Sequence, residues 1–173
     1  MDKSFTRVIA TWQGVIDAPA EDVWTLLTDW GAMLSWWKSD PDAEGVKVIS
    51  VEMEDLTASI PRSRILTRSG VASAGLPVLN RETLLHEDPV ARRIYYTADN
   101  EVIAGIRNYL ATTSVDRIAT TSCRMIFSST FDVREGEDPS RARAVIESIY
   151  DAICVSFRNY FRKRSDANQL GSR

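Results

Sequence analysis

The spacing of apolar residues changes period early in the chain. Over residues 5–16 apolar and polar positions alternate, which predicts a long β-strand. The parity expected to be buried comprises Val8, Ala10, Trp12 and Ile16. Over residues 17–30 the apolar positions recur at helical spacing, and Pro19 suits a first turn, so this segment predicts a helix. A second short helix is predicted over 33–37, after the break at Gly31.

Six further strand-like segments follow, with turn-forming residues between most of them. Their approximate bounds are 46–53, 60–71, 80–87, 92–98, 106–117 and 120–133. The chain then predicts a long helix over 139–164, because Asp138 and Pro139 make a good N-cap and first-turn pair ahead of an apolar stripe. That stripe comprises Val145, Ile149, Ile153, Phe157 and either Tyr160 or Phe161. The polar tail, 165–173, is predicted to be flexible.

This order of elements predicts an α+β fold in one domain, residues 1–173, with its core over 5–164. The long amphipathic helix needs an apolar partner, and a strongly curved, seven-stranded antiparallel sheet around it supplies one. Such a sheet cannot touch the helix along its whole length, so an internal cavity is expected. The faces that carry Tyr109 and Phe127 on neighbouring strands are the less polar ones, and we expect them to face the helix.

Charge and hydropathy exclude some classes of protein. The chain has 21 Lys and Arg against 24 Asp and Glu, and its net charge of −3 argues against a nucleic-acid-binding surface. No run of eighteen apolar residues predicts a membrane span, and the first residues do not resemble a secretory signal. We therefore interpret the chain as a cytoplasmic protein, either a monomer or a homodimer.

The inventory of reactive side chains is short. His86 is the only histidine, and Cys123 and Cys154 lie far apart without a CxxC partner. This inventory therefore excludes a zinc site, a Cys–His dyad and a Ser-His-Asp triad that would need a histidine other than His86. Both cysteines are interpreted as core residues. We expect neither a metal nor a cofactor.

Two charged residues, Arg81 and Glu82, stand side by side near the start of the strand predicted over 80–87. Alternation places Glu82 and His86 on one face and Arg81 on the other, but hydropathy does not show which face is internal. His86 would join a polar relay if its face were internal. Its position near the strand end instead favours a solvated residue.

The order of elements and three segments resemble a known superfamily. The segments are VIDAPAEDVWTLLTDW, RETLLHEDPVARRIYY and the terminal helix, and together they are similar to the START-like helix-grip superfamily, also called SRPBCC or polyketide cyclase-like. Within it, AGLPV (74–78) ahead of RETL (81–84) resembles the gate of the branch that contains plant abscisic acid receptors and lachrymatory-factor synthase. The His-Arg-Leu latch of those receptors is replaced by Ala104-Gly105-Ile106. The resemblance therefore does not extend to a hormone-dependent phosphatase complex.

The resemblance also implies which residues form the site. Glu82 matches a pocket glutamate of that branch, which is considered catalytic in the enzyme, and an arginine on the preceding strand accompanies it. The preceding strand can be aligned in two ways. One alignment matches Arg64 to that arginine, and the other matches Arg68. Tyr109 matches a pocket tyrosine. The residues expected to bind substrate are Lys38, Leu76, Pro77, Tyr96, Phe127, Ile149 and Ile153.

Two functions follow from the resemblance and from acid–base chemistry. The first is a cofactor-independent enzyme, a cyclase or dehydratase, an isomerase or a lyase, that acts on a hydrophobic or aromatic, polyketide-like molecule with Glu82 as general acid or base. Arg64 or Arg68 and the phenol of Tyr109 would stabilise an oxyanion. The alternative is a non-catalytic carrier or sensor of a hydrophobic small ligand.

Overall fold

Within the residues that the structure describes, the fold consists of a seven-stranded sheet and three helices. In a computed structural model of the chain, the structure describes residues 4–37, 47–54, 59–69, 78–99 and 105–170. The elements are β1 (Phe5–Ile16), α1 (Ala20–Thr28), α2 (Met33–Trp36), β2 (Lys47–Met53), β3 (Arg62–Ser69), β4 (Val78–Asp88), β5 (Arg93–Ala98), β6 (Ile106–Ala119), β7 (Ser122–Arg134) and α3 (Pro139–Leu170). Every strand and helix predicted from the sequence is present, with bounds that differ by a few residues.

Strands β2 to β7 form a meander, and β1 extends it at one edge by pairing with β7. Its order is β1-β7-β6-β5-β4-β3-β2, and every neighbouring pair is antiparallel. Helix α3 lies across the sheet and packs chiefly against β1. The predicted α+β fold, a curved antiparallel sheet around a long C-terminal helix, is confirmed. No helix in the described ranges is long and apolar enough to cross a membrane.

The contact between α3 and β1 is close because of Gly14. A Cβ atom at this position would lie 2.6 Å from Sγ of Cys154, which is inside van der Waals contact. The glycine therefore lets the helix backbone approach the strand. Helix α3 rests on β1 at this point, and a space remains between the helix and the inner faces of β3, β4 and β5.

Helix α3 begins as predicted and ends later than predicted. The side chain of Asp138 accepts a hydrogen bond from the backbone N–H of Ser140, which caps the first turn. The helix then continues to Leu170, six residues beyond the predicted end at 164, while the flexibility of 165–173 stays a prediction. No glycine or proline interrupts that segment, and the polar residues within it are compatible with an exposed helix.

The buried stripe of α3 is rotated relative to the prediction. Its most buried residues are Ala142, Ile146, Tyr150, Cys154 and Phe157. Val145, Ile149 and Ile153 are each one position away, which is about 100° around the helix axis, and they are only half-buried. The rotation turns the phenol of Tyr150 inward and leaves Ile149 and Ile153 beside the central stripe.

Two β-bulges decide which residues of β4 and β6 face inward. In β6 the register shifts between Arg107 and Leu110, where Asn108 has φ 50°. Asparagine tolerates this left-handed conformation better than most residues. In β4 the register shifts between Leu84 and His86. The first bulge directs Tyr109 inward, and the second ends the strict alternation before His86.

Candidate functional site

The register of β3 and β4 places charged side chains on the inner face of the sheet. Arg64 is the direct cross-strand partner of Glu82, and Arg68 lies four residues farther along the same face of β3. Facing side chains of an antiparallel pair lie close enough to interact. The prediction that Glu82 points inward is confirmed, because Glu82 is 6% exposed. Arg81 points outward and pairs with Glu54.

Both candidate arginines contact Glu82. Nε and Nη2 of Arg64 donate to Oε2 of Glu82 at 3.0 Å and 2.6 Å. Nη2 of Arg68 donates to Oε1 at 2.7 Å. All three side chains are buried. The sequence left Arg64 and Arg68 as alternatives, and the structure brings them together in one Arg–Glu–Arg cluster, which comprises Arg64, Glu82 and Arg68.

Trp30 holds Arg64 in place. Its backbone carbonyl accepts a hydrogen bond of 2.7 Å from Nη1 of Arg64, and the guanidinium carbon lies 3.7 Å from the centre of the indole ring. Every nitrogen of Arg64 therefore has a partner. Sequence analysis placed Trp30 only within the helical segment over residues 17–30 and missed this role, because the contact with Arg64 on β3 depends on tertiary structure.

The two arginines set the protonation state of Glu82. Burial alone raises the pKa of this carboxyl group, but the charges and hydrogen bonds of Arg64 and Arg68 outweigh that effect, so the pKa lies below its ordinary value of 4.5. Glu82 is a carboxylate at neutral pH. It can accept a proton there, but it cannot serve as the resting acid.

Three tyrosines stand near the cluster on other elements. The hydroxyl groups of Tyr109 and Tyr150 lie 2.7 Å apart, and the ring centre of Tyr96 lies 6.2 Å from that of Tyr109. Burial raises the pKa of Tyr150 to about 12 and also raises the pKa of Tyr96 and Tyr109. All three are neutral phenols, and in the Tyr109–Tyr150 pair one hydroxyl donates its hydrogen bond to the other. Sequence analysis missed Tyr150, although its spacing from Ile146 and Cys154 was available as a signal.

The cluster and the tyrosines open into an internal cavity. Its volume is about 50 Å³, enough for a few water molecules. The remaining wall is apolar. It is formed by Leu27, Trp30, Met33, Trp36, Ile94, Ala98, Phe127, Ile146, Ile149 and Ile153, with Thr113 as a further polar residue. Phe127, Ile149, Ile153 and Tyr96 thus lie where the sequence analysis placed them, while their part in binding stays a prediction.

Other candidates lie elsewhere. His86 is exposed, and its ring centre lies 5.8 Å from that of Tyr95, outside the cavity. Cys123 and Cys154 are buried, which raises the pKa of each thiol to about 11. The positions of Lys38, Leu76 and Pro77 fall outside the described residues. Across the described ranges, no group of three or more His, Cys, Asp or Glu side chains is arranged to hold a metal ion.

Solved structures share this fold at low sequence identity. A solution structure from Thermobifida fusca is 24% identical, with a TM-score of 0.65 over 89% of this chain and 93% of that one. Norcoclaurine synthase from Thalictrum flavum, in complex with dopamine and hydroxybenzaldehyde, is 15% identical, with a TM-score of 0.65 over 92% of this chain and 89% of that one. The Zhui aromatase/cyclase from a Streptomyces species is 16% identical, with a TM-score of 0.62 over 93% and 94%.

The sequence comparisons add the family. No curated protein matches the chain. The family described as polyketide cyclase / dehydrase and lipid transport matches over residues 7–162, from within β1 to within α3. The match spans the whole cavity as described above, and the START-like resemblance seen in the sequence is confirmed. The chain belongs to the polyketide cyclase / dehydrase and lipid transport family.

Proposed function

We propose that the protein is a cofactor-independent enzyme that moves protons on a hydrophobic or aromatic, polyketide-like carbonyl compound. The observation that carries this proposal is the Arg–Glu–Arg cluster in the wall of an otherwise apolar cavity. Burying three charges has a desolvation cost of several kcal/mol per ion, and well-packed apolar residues would avoid it. A buried, charge-perturbed carboxylate in a cavity is instead typical of a catalytic site.

Glu82 has the capacity to act as the base. A carboxylate offers about four lone-pair directions, and the arginines occupy three of them. The remaining one belongs to Oε1, which accepts a single bond from Arg68. Through it, Glu82 would remove a proton from a carbon beside a carbonyl group. The low pKa makes Glu82 a weak base, so the reaction depends on stabilisation of the enolate by the neighbouring donors.

The neighbouring groups complete an aldol-type reaction. The guanidinium of Arg68 and the phenol of Tyr109 would stabilise the enolate oxygen. The enolate carbon then forms a bond to a second carbonyl carbon of the same molecule, and the new alkoxide takes a proton from a phenol. Protonated Glu82 then returns its proton to the phenolate, which restores both residues. The new hydroxyl group leaves together with a second proton from the same α-carbon, and this loss of one water molecule gives the cyclised product. This series of reaction steps needs no oxidant, reductant or metal ion. Isomerisation or lyase cleavage would use the same first step.

The comparisons favour this class of chemistry. The family description includes cyclases and dehydrases, and two of the similar folds are an aromatase/cyclase and norcoclaurine synthase. At identities of 15–16% these two structures support the fold alone. The argument for the chemistry rests on the residues of the cavity.

The alternative is a carrier or sensor that binds a hydrophobic molecule without changing it. The same family description includes lipid transport, and the wall of the cavity is mostly apolar. A carrier releases its ligand unaltered, whereas an enzyme releases a product. The protein is incubated with a compound that it binds, and native mass spectrometry then measures the mass of the small molecule released from it. An unchanged mass indicates a carrier, and a changed mass indicates an enzyme.

We expect Glu82→Gln to reduce turnover by roughly 10²- to 10⁴-fold, because the amide cannot accept the proton. The assay incubates the protein with β-diketones and β-keto acids that carry an aromatic ring, and follows intramolecular condensation with loss of water by mass spectrometry. Glu54→Gln is the matched control, since Glu54 is an exposed partner of Arg81. Full turnover in Glu82→Gln would disprove the acid–base role.

A further inference from the structure

The charges that line the cavity do not balance. Two guanidinium groups face one carboxylate, and the other described residues of the cavity wall are uncharged. The described part of the wall therefore carries a net charge of +1 in a buried, low-dielectric environment. An uncompensated buried charge is unfavourable and is normally paired. The partner that these described residues lack is an anion.

The two arginines differ in how many of their donors are used. Arg64 donates from Nε, Nη1 and Nη2, and it stacks on Trp30. Arg68 donates from Nη2 to Glu82, and its buried Nε has no acceptor among the described residues. Arg68 is 4% exposed, so its unused donor is shielded from bulk solvent. The unused positive charge is located on Arg68.

A second unpartnered donor belongs to another residue of the cavity wall. Nε1 of the Trp30 indole is buried and has no acceptor within the part of the chain that the structure describes. An indole N–H is a donor only, as is the Nε of an arginine. Among the described residues neither donor has an acceptor, and buried polar groups without partners are rare in native proteins, so both are candidates for an acceptor that a ligand supplies.

From this charge count and these two donors, we infer that the cavity binds a hydrophobic or aromatic monoanion, with a carboxylate or similar oxyanion on Arg68 and the ring against the apolar wall. This inference rests on the proposed function and names the charge of its substrate. The cavity of about 50 Å³ holds only a few water molecules, so the ring requires Phe127, Ile149 and Ile153, whose side chains carry no polar atoms, to move apart. Glu82 then fixes the orientation of Arg68. Its negative charge repels the carboxylate of the ligand, which therefore lies against Arg68 and not against Glu82.

Benzoate and benzamide test the inference, because they have nearly the same shape and differ in charge. Isothermal titration of the full chain should show that benzoate binds roughly ten- to a hundredfold tighter than benzamide. Arg68→Met, which leaves a neutral Arg64–Glu82 pair, should abolish the preference while circular dichroism shows an intact fold. Arg81→Met is the matched control, since Arg81 lies on the outer face of the next strand, and it should keep the preference.

Glu82→Gln separates this inference from the proposed function. Removing the carboxylate raises the positive charge of the cavity wall, so benzoate should bind more tightly to this variant even though turnover is lost. Three results would overturn the inference. The wild type could bind benzoate and benzamide equally, it could bind neither compound, or the preference for benzoate could survive Arg68→Met. If the preference fails while Glu82→Gln still loses turnover, the enzyme acts on a neutral substrate. If the preference holds and turnover is unaffected by Glu82→Gln, the protein binds anions without Glu82 chemistry.

Discussion

Replacing Glu82 with alanine should lower the free energy of unfolding by about 3–5 kcal/mol. The substitution leaves the guanidinium groups of Arg64 and Arg68 buried side by side without a counter-charge. Urea unfolding followed by circular dichroism measures the loss as a lower midpoint at an unchanged slope. The matched control is Glu54→Ala, which removes the carboxylate of an exposed ion pair with Arg81 and should cost about 1 kcal/mol or less.

The pH dependence of this effect has a defined sign. The pKa of Glu82 is lower in the folded protein than its ordinary value of 4.5, so its ionised form stabilises the fold. That contribution is complete above pH 4.5 and is lost as the pH falls through the lower folded value. The difference between the wild type and Glu82→Ala should therefore be constant near neutrality and shrink in acid. A difference that grows in acid, or a cost as small as that of Glu54→Ala, would contradict the buried cluster.

Replacing Phe157 with alanine should also cost about 3–5 kcal/mol. Phe157 is fully buried on α3, and its ring centre lies 4.5 Å from that of Trp36 on α2. Trp36 lines the cavity, so the space left by the missing ring also removes support from the cavity wall. We expect the urea midpoint to fall and the affinity for benzoate to weaken with it.

The control for this substitution is Val155→Ala on the same helix. Val155 is 42% exposed, and surface substitutions of this kind usually change stability by about 0.5 kcal/mol or less. If the two variants unfold at the same urea concentration, α3 does not pack on α2 and the sheet as described.

The sequence predicts the fold well because each element carries its own local signal. Strand alternation and the Asp138-Pro139 cap are readable from a few neighbouring residues, and they locate the start of α3 and most strand ends. The end of α3 is not predicted, since no breaking residue marks position 164. Its buried face is also misplaced by one residue, because Ile149 and Tyr150 are both apolar enough to be core.

The site is less predictable because it depends on tertiary contacts. The inward position of Glu82 follows from a resemblance, and parity alone does not supply it. That both arginines reach Glu82 depends on the register of β3 and β4, which alternation does not specify. The bulge that separates His86 from the face of Glu82 has no signal in the sequence. The roles of Trp30 and Tyr150 arise from a turn carbonyl and a helix rotation that are visible only in three dimensions.

The most direct measurement of the central claim is the rate of deuterium exchange at a carbon acid. Phenylpyruvate and its methyl ester are incubated in D₂O with the wild type and with Glu82→Gln, and proton NMR follows the loss of the CH₂ signal. If Glu82 is the base, the wild type accelerates exchange of at least one of the two compounds above the buffer rate, and Glu82→Gln is slower by roughly 10²- to 10⁴-fold. Exchange that is equally fast in both proteins, or no faster than in buffer with either compound, would contradict the account.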